Sequence, residues 1–336
     1  MTRSSLPRNA SIWPGLGLFA LALLIRLPYL GTFMTIDEVK WVEGAGQFTT
    51  ALAGGDLSAT YWHFFPGITI TWGETVILWL QYLASDAATV AAFVENQMAN
   101  LPGLIGAMRL SPVIITALGV AGVFWLARPL LGDVAALIGA GLLATDPFFV
   151  AHSRIVNGDA AAAVLMMLAL LAFAQLWAVW RWSKVGRAGL FAGLALLTKL
   201  PAPIILPFMA VPAGLGYVKD KNWQMWLLAL LLFGTIAAAT FALLFPAMWV
   251  NPLETLRLIY VEAFAVGEIG EGHDTFFMGQ ISNNPGWLFY PYAITFRLTP
   301  VTLAGLLFLP AWLWAQRRAL TAPRVRLVIT LAAYVI

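Results

Sequence analysis

The sequence predicts an all-α integral membrane protein built as a multi-span helical bundle. Of its 336 residues, 61% are hydrophobic and only 10% are charged, and the mean hydropathy is +0.83. Because a soluble domain is typically about 25% charged, a globule of this composition could not cover its surface with polar atoms. The composition therefore excludes an ordinary cytosolic enzyme, a disordered chain and a nucleic-acid binder. The lipid bilayer is the environment that remains.

Apolar segments of the length needed to cross a bilayer recur along the chain. A membrane core about 30 Å thick requires roughly 20 helical residues. The predicted spans lie at 12–30, 110–126, 134–150, 160–180, 188–200, 201–217, 226–249 and 291–314, with another beginning near 325. These segments amount to roughly eight to nine spans in a single integral domain over residues 1–336. Since the last segment is too short to cross, the chain is expected to continue past Ile336.

Charged residues are divided unequally between the two sides that these alternating spans create. With the N-terminus in the cytoplasm, the inner side carries 12 basic and 2 acidic residues, and the outer side carries 7 basic and 14 acidic residues. An excess of Lys and Arg in cytoplasmic loops orients membrane helices. We therefore expect a multi-pass protein of the cell membrane with two long outer loops, 31–109 and 251–290. Amphipathic juxtamembrane helices are predicted at 87–98 in the first outer loop and after Asn251 in the second.

Two adjacent carboxylates, Asp37 and Glu38, directly follow the first span. Neighbouring side chains point in different directions, so one can face a cavity while the other is held by the protein. A carboxylate beside a hydroxyl can act as a general base, or it can coordinate a divalent cation. The alternative is an acidic pair that is solvated at the membrane surface.

From this pair onward, a series of motifs resembles the GT-C glycosyltransferases, in particular glycosyltransferase family 39. That family includes the protein O-mannosyltransferases and the lipid A aminoarabinose transferases. The last motif resembles the family's Gly-x-x-x-Leu-Thr-Lys signature, and the turn at His63 lacks the family's usual consecutive prolines. In chain order the motifs are Asp37-Glu38, His63 to Gly67, Arg109 to Pro112, Leu126 to Gly132, Asp146-Pro147, Ser153-Arg154, Asp159 and Gly193 to Lys199.

The resemblance implies a GT-C type bundle that moves a sugar from a polyprenyl-phosphate carrier to a hydroxyl-bearing acceptor. The acceptor would be a protein, a lipid or a glycan at the extracytoplasmic face, and the mechanism would be inverting. By resemblance, Asp37 is the catalytic base, and Glu38 is its helper or a second ligand. No cofactor is certain, and if a divalent metal takes part, Asp37 is its expected ligand.

Transfer from such a carrier requires cations that stabilise the leaving phosphate. The candidates are Lys199, Arg154 and Arg297, because each is expected near the outer end of a span, where a charged group is costly. Arginine can bind phosphate through two parallel hydrogen bonds, and lysine acts as a point charge. In the alternative interpretation, Lys199 extends to the interface, and Arg154 pairs with Asp159 or Asp146.

Three further residues are candidates for binding the acceptor, the sugar or a metal: His273, His63 and Asp159. His273 has a glycine on one side and an aspartate on the other. A surface position is the alternative for each histidine. No two histidines have the spacing of zinc ligands.

Two other classes of protein remain open at this point. A transporter or flippase for a lipid-linked or anionic substrate could use the proline-interrupted segments 188–200 and 201–217 as a midplane site. Only one such broken pair is visible, whereas transporters often have two matching halves. A non-catalytic membrane subunit is the third interpretation, and it would not need Asp37.

Overall fold

The computed structural model describes residues 12–268, 275–282, 284–319 and 322–335, and it is mainly helical there. The first half of the chain contains α1 (Trp13–Arg26), α2 (Ile36–Gly54), α3 (Ile68–Leu83), α4 (Val90–Met98), α5 (Leu101–Met108), α6 (Leu110–Leu131), α7 (Asp133–Thr145), α8 (Pro147–Ser153) and α9 (Asp159–Ala174). The second half contains α10 (Trp182–Thr198), α11 (Ile205–Phe208), α12 (Ala210–Asp220), α13 (Trp223–Leu244), α14 (Ala247–Val250), α15 (Pro252–Glu268), α16 (Phe289–Arg297), α17 (Pro300–Ala315) and α18 (Pro323–Val335). An antiparallel hairpin, β1 (Thr275–Phe277) and β2 (Gln280–Ser282), precedes α16.

The main hydrophobic core is formed by α1, α6, α7, α9, α10 and α13. Helix α9 lies at its centre and is buried along almost its whole length. Helix α10 packs between α9 and α13, and small residues bring its backbone close to α13. At Gly193, a Cβ atom would lie only 2.6 Å from the carbonyl oxygen of Ala237. Close backbone approach at small residues is typical of helices packed within membranes.

Four helical stretches of the described chain are long and apolar enough to cross a membrane. They are Leu101–Leu131, Asp159–Trp177, Ala202–Asp220 and Trp223–Leu244, and the bent pair α7–α8 would be a fifth. Helices α1 and α17 are apolar but shorter, with 14 and 16 residues. The predicted eight to nine spans are therefore not confirmed, whereas an α-helical membrane protein is.

Two predicted spans are interrupted, each by a capped helix start. The segment 134–150 bends by 60° between α7 and α8. There Pro147 begins α8, and the Asp146 carboxylate accepts the backbone N–H of Phe149 at 2.8 Å. The segment 291–314 breaks before Pro300, where the Thr299 hydroxyl accepts the backbone N–H of Thr302. Proline at a first helical position and an oxygen-bearing cap both favour a new helix start.

The first long loop of the prediction, 31–109, is largely helical and includes α2, α3, α4 and α5. The helix expected at 87–98 begins later, at Val90, because the hydroxyl of Thr89 caps it. The helix expected after Asn251 is confirmed as α15. It exposes apolar side chains such as Leu253 and Tyr260, as expected for a helix that lies on a membrane.

Polar side chains at the helix ends form two separate groups. At one end of the bundle, Arg26 donates to the carbonyl of Ala144, and Arg109 donates to the carbonyl of Leu30. At the other end, Lys184 donates to the carbonyls of Gln175 and Val179 at 2.9 and 2.8 Å. The residues predicted for the outer side thus meet at the first end. The side of the membrane on which that end lies stays a prediction.

Candidate active site

Helix α2 begins with a Thr-x-x-Glu sequence that fixes the position of the acidic pair. Glu38 reaches back so that its Oε2 atom accepts the backbone N–H of Thr35 at 2.8 Å and the Thr35 hydroxyl at 3.0 Å. This reciprocal start is the capping-box arrangement, which satisfies otherwise unpaired groups of the first turn. Asp37, one position earlier in the same turn, is exposed.

Glu38 is completely buried and is bound by two distant parts of the chain. Arg109 donates to both of its carboxylate oxygens, at 2.7 and 2.6 Å, and the backbone N–H of Val156 donates to Oε1 at 2.8 Å. Burial by itself would raise the pKa of Glu38, but the hydrogen bonds from Arg109, Thr35 and Val156 together lower it below the usual value. Both oxygens of Glu38 are therefore occupied, which suits a positioning role better than that of a second catalytic carboxylate.

Arg109 connects the segment after α1 to the start of α2. Besides Glu38, it donates to the carbonyls of Leu30 and Phe33, and its guanidinium lies 4.7 Å from the centre of the Phe33 ring. Arg109 thus neutralises the Glu38 carboxylate. Because the pair is buried and bidentate, it holds the first turn of α2, and with it Asp37, in place.

Asp37 and Lys199 line the same cavity, although they lie on α2 and just after α10. The cavity has a volume of about 480 Å³. Its polar lining comes from Asp37, Lys40, His63, Asn157 and Lys199, and its apolar lining comes from Ile36, Trp41, Phe64 and Phe65. We call it the Asp37 cavity. No described residue donates a hydrogen bond to the Asp37 carboxylate, so it is free to face a bound molecule.

Lys199 lies where α10 ends, with an extended backbone (φ −157°, ψ 146°). Pro201 follows two residues later and cannot continue a helix. The Lys199 ammonium group donates to Asp159 Oδ1 at 2.5 Å and to Asn157 Oδ1 at 3.4 Å. Since an ammonium group has three donors, one remains for a ligand in the Asp37 cavity.

His63 contributes an imidazole that is 8% exposed. Its Nδ1 atom accepts the backbone N–H of Phe65 at 3.4 Å, and its ring centre lies 3.7 Å from that of Phe65. Burial and the positive charge of Lys40 lower the pKa of His63 to about 4. At neutral pH the ring is therefore uncharged, and with Nδ1 as acceptor its proton is assigned to Nε2.

A second cavity, of about 440 Å³, lies beyond the Lys199–Asp159 ion pair. We call it the Arg297 cavity. Arg297 lines it, with its guanidinium 5.1 Å from the centre of the Phe148 ring. Asp159 also lines this cavity while it pairs with Lys199 of the first. Lys199 and Arg297, two of the predicted phosphate-binding cations, thus line two cavities that the Lys199–Asp159 ion pair connects.

The other predicted site residues are placed differently. Arg154 donates to the carbonyl of Pro28 and lines neither the Asp37 cavity nor the Arg297 cavity. His273 lies outside the described residues. Of the three residues predicted as acceptor, sugar or metal ligands, His63 lines the Asp37 cavity, and Asp159 lines the Arg297 cavity.

The donor set of the Asp37 cavity does not suit a divalent metal ion. Within the described residues, no group of three or more His, Asp or Glu side chains is arranged to hold one. Asp37 shares its cavity with the ammonium groups of Lys40 and Lys199, and Glu38 has no free oxygen. Hard divalent cations prefer several oxygen ligands, so the residues that line this cavity do not fit a metal site.

Sequence reasoning missed two polar residues of the Asp37 cavity, Lys40 and Asn157. Lys40 lies three positions after Asp37, a spacing that places two side chains on one face of a helix. The Thr35–Glu38 capping pattern was the available signal for that helix. Asn157 lies in the turn before α9, and no local pattern distinguishes it.

The apolar helices and the paired cavities define a membrane protein with a polar site at one end of its bundle. Residues 86–250 match the model of the family described as dolichyl-phosphate-mannose-protein mannosyltransferase. The match confirms the resemblance found in the motifs, and it supports a membrane glycosyltransferase of the GT-C type. It includes Arg154, Asp159 and Lys199, whereas Asp37 and Arg297 lie outside it. No curated protein matches the chain.

Proposed function

We propose that this glycosyltransferase moves a sugar from a polyprenyl-phosphate carrier to a hydroxyl group of a protein, lipid or glycan, with Asp37 as the general base. The observation that carries the proposal is the Asp37 cavity, in which an unpaired carboxylate and the Lys199 ammonium group meet across distant helices. A base and a phosphate-binding cation in one cavity are the two groups that this reaction needs.

In the proposed step, Asp37 takes the proton of the acceptor hydroxyl while the oxygen of that hydroxyl attacks the anomeric carbon. The bond between that carbon and the phosphate oxygen breaks, and its electron pair stays on the phosphate. Attack opposite to the leaving group inverts the anomeric configuration. Proton transfer to a positioned base typically contributes about 10²–10⁴-fold in rate.

The cations around the two cavities supply the other half of the mechanism. Lys199 and Arg297 are assigned to the leaving phosphate, because fixed positive charge in a water-poor site stabilises developing negative charge. His63, as a neutral ring, is assigned to donate from Nε2 to a hydroxyl of the sugar or the acceptor. Glu38 is assigned to position Asp37. Arg154 has a structural role, since its guanidinium binds the chain at Pro28.

The broken segment after α10 supports an enzyme over a transporter. A flippase would use such a break to build a substrate site at the membrane midplane. Here the break places Lys199 beside Asp159, in the cavity that also contains Asp37. The proposed location is the extracytoplasmic face of the cell membrane, as the distribution of charges predicts.

The proposal is tested by transfer of a radiolabelled sugar from synthetic polyprenyl-phosphate donors to candidate acceptors. We expect Asp37→Asn to lower the turnover about 10²–10⁴-fold, because the amide cannot accept the proton. Asp133→Asn is the matched control, since that exposed carboxylate pairs with Arg128, away from both cavities. Wild-type turnover in Asp37→Asn would remove the assigned base. If the wild-type chain transfers no sugar from any donor, the transporter becomes the better hypothesis.

A further inference from the structure

The Arg297 cavity contains a second nitrogen base that has no part in the transfer step proposed above. His152, near the end of α8, lines the cavity together with Arg297, Phe148 and Asp159. Its ring centre lies 4.2 Å from that of Phe148, and the Arg297 guanidinium lies 5.1 Å from the same ring. The Phe148 ring therefore contacts both the His152 imidazole and the Arg297 guanidinium.

We infer that His152 is a binding residue for the phosphate of the lipid carrier, and that it acts together with Arg297 in the Arg297 cavity. This inference rests on the proposed function. It extends that function by one binding residue, His152, and by a location for the phosphate, the Arg297 cavity. The cavity lies next to Lys199, because Asp159, which lines the cavity, accepts a hydrogen bond from the Lys199 ammonium group. A phosphate there lies close to the Asp37 cavity, where the sugar must react.

The hydrogen bonding of His152 leaves one ring nitrogen for a ligand. The Nδ1 atom lies 2.9 Å from the carbonyl oxygen of Phe148, a contact in which the ring must be the donor. In an imidazolium both ring nitrogens are donors, so with Nδ1 occupied the Nε2–H is the donor left for an anion. A charge-assisted hydrogen bond of this kind is about twice as strong as a neutral one.

The charge and shape of the cavity fit a lipid phosphate better than a free carboxylic acid or a neutral sugar. Its one acidic side chain, Asp159, is already paired with Lys199, so Arg297 and His152 are left to bind an anion. The rest of the lining is apolar and includes Ala160, Ala163 and the Phe149 ring. Such a surface suits the hydrocarbon of a polyprenyl chain next to its phosphate.

The test compares binding of a synthetic polyprenyl phosphate with that of the corresponding polyprenol, using the full chain in lipid nanodiscs. We expect His152→Ala to weaken binding of the polyprenyl phosphate about 10- to 100-fold, the usual effect of losing a hydrogen bond to a charged group. Binding of the polyprenol should not change, because it has no phosphate. His152→Gln keeps a donor and should lose less, which separates a binding role from a folding defect.

Arg257→Ala is the control, because its guanidinium is exposed and paired with Glu254 on α15, outside both cavities. It should bind both lipids as the wild type does. The inference is overturned if His152→Ala binds polyprenyl phosphate normally, or if it loses polyprenol equally. If the wild type binds polyprenyl phosphate in a His152-dependent way but transfers no sugar, the proposed function fails while this site stands.

Discussion

At the scale of single residues, the acidic pair shows how neighbours in sequence can differ in chemistry. Consecutive residues of a helix point about 100° apart, so Asp37 faces a cavity while Glu38 turns into the protein. Glu38 is completely buried between Arg109 and the backbone of Val156. The exposed residue is thus available for proton transfer, and the buried one fixes its position.

We predict that Glu38→Gln lowers the stability of the folded chain by about 3–5 kcal/mol, because it leaves the buried Arg109 charge without its partner. Thermal unfolding in detergent would measure this loss. Glu254→Gln is the matched control, since its exposed ion pair contributes little. Unchanged unfolding of Glu38→Gln would show that the Arg109 pair does not hold the start of α2.

The same variant should also change the response to acid. The pKa of Glu38 is lower in the folded chain than in the unfolded one. The stabilising effect of Glu38 is therefore complete above the pKa of the unfolded chain, for which the usual value is 4.5. The effect is lost as the pH falls through the pKa of Glu38 in the folded chain. Glu38→Gln should therefore lack this part of the acid-induced loss of stability.

At the scale of whole elements, the packing of α10 decides where Lys199 lies. Helix α10 contacts α13 through Gly189 and Gly193, and at each of them a Cβ atom would lie within 3.0 Å of the α13 backbone. Lys199 follows directly after the last residue of α10. A displacement of this helix would therefore move the cation relative to Asp37.

We predict that Gly193→Ala destabilises the chain by about 1–3 kcal/mol, the usual cost of adding atoms to a packed interface. Sugar transfer should fall as well, because Lys199 moves with α10. Gly139→Ala is the control, since no other group lies within 4 Å of that position on α7. Unfolding temperatures and transfer rates of the two variants would be compared. Equal behaviour of the two would contradict the close packing of α10 and α13.

At the scale of the whole molecule, the polar groups are sorted to the two ends of the bundle. The carboxylates and cations of both cavities lie at one end, and the Lys184 and Arg128 contacts lie at the other. Combined with the charge asymmetry of the sequence, this arrangement predicts that the cavities open to the extracytoplasmic side.

The predicted orientation can be measured with single cysteines, because residues 1–336 contain none. In intact cells, a thiol reagent that cannot cross membranes should label Ile36→Cys, because this exposed position lines the Asp37 cavity. Gln224→Cys, at the start of α13, should react only after the membrane is permeabilised. The reverse pattern would place the cavities in the cytoplasm and contradict the proposed location of the reaction.

How much of the protein could be predicted from its sequence depends on the range of the interactions involved. Apolar length and low charge predicted a helical membrane protein, and the motifs around Asp37 and Lys199 predicted its class. The break at Asp146-Pro147 was missed although its cap is local, because the apolar run conceals it. The burial of Glu38 could not be predicted, since its partner Arg109 lies 71 residues away.

The sequence by itself determined that this protein belongs in a lipid bilayer and that it resembles glycosyltransferases, because hydropathy and short motifs are properties of contiguous residues. The tertiary structure decided which charges meet: Asp37 with Lys199 in one cavity, and His152 with Arg297 in another. These contacts depend on the packing of helices that are far apart in the chain. The periodicity of a single helix carries no information about the helices that pack against it.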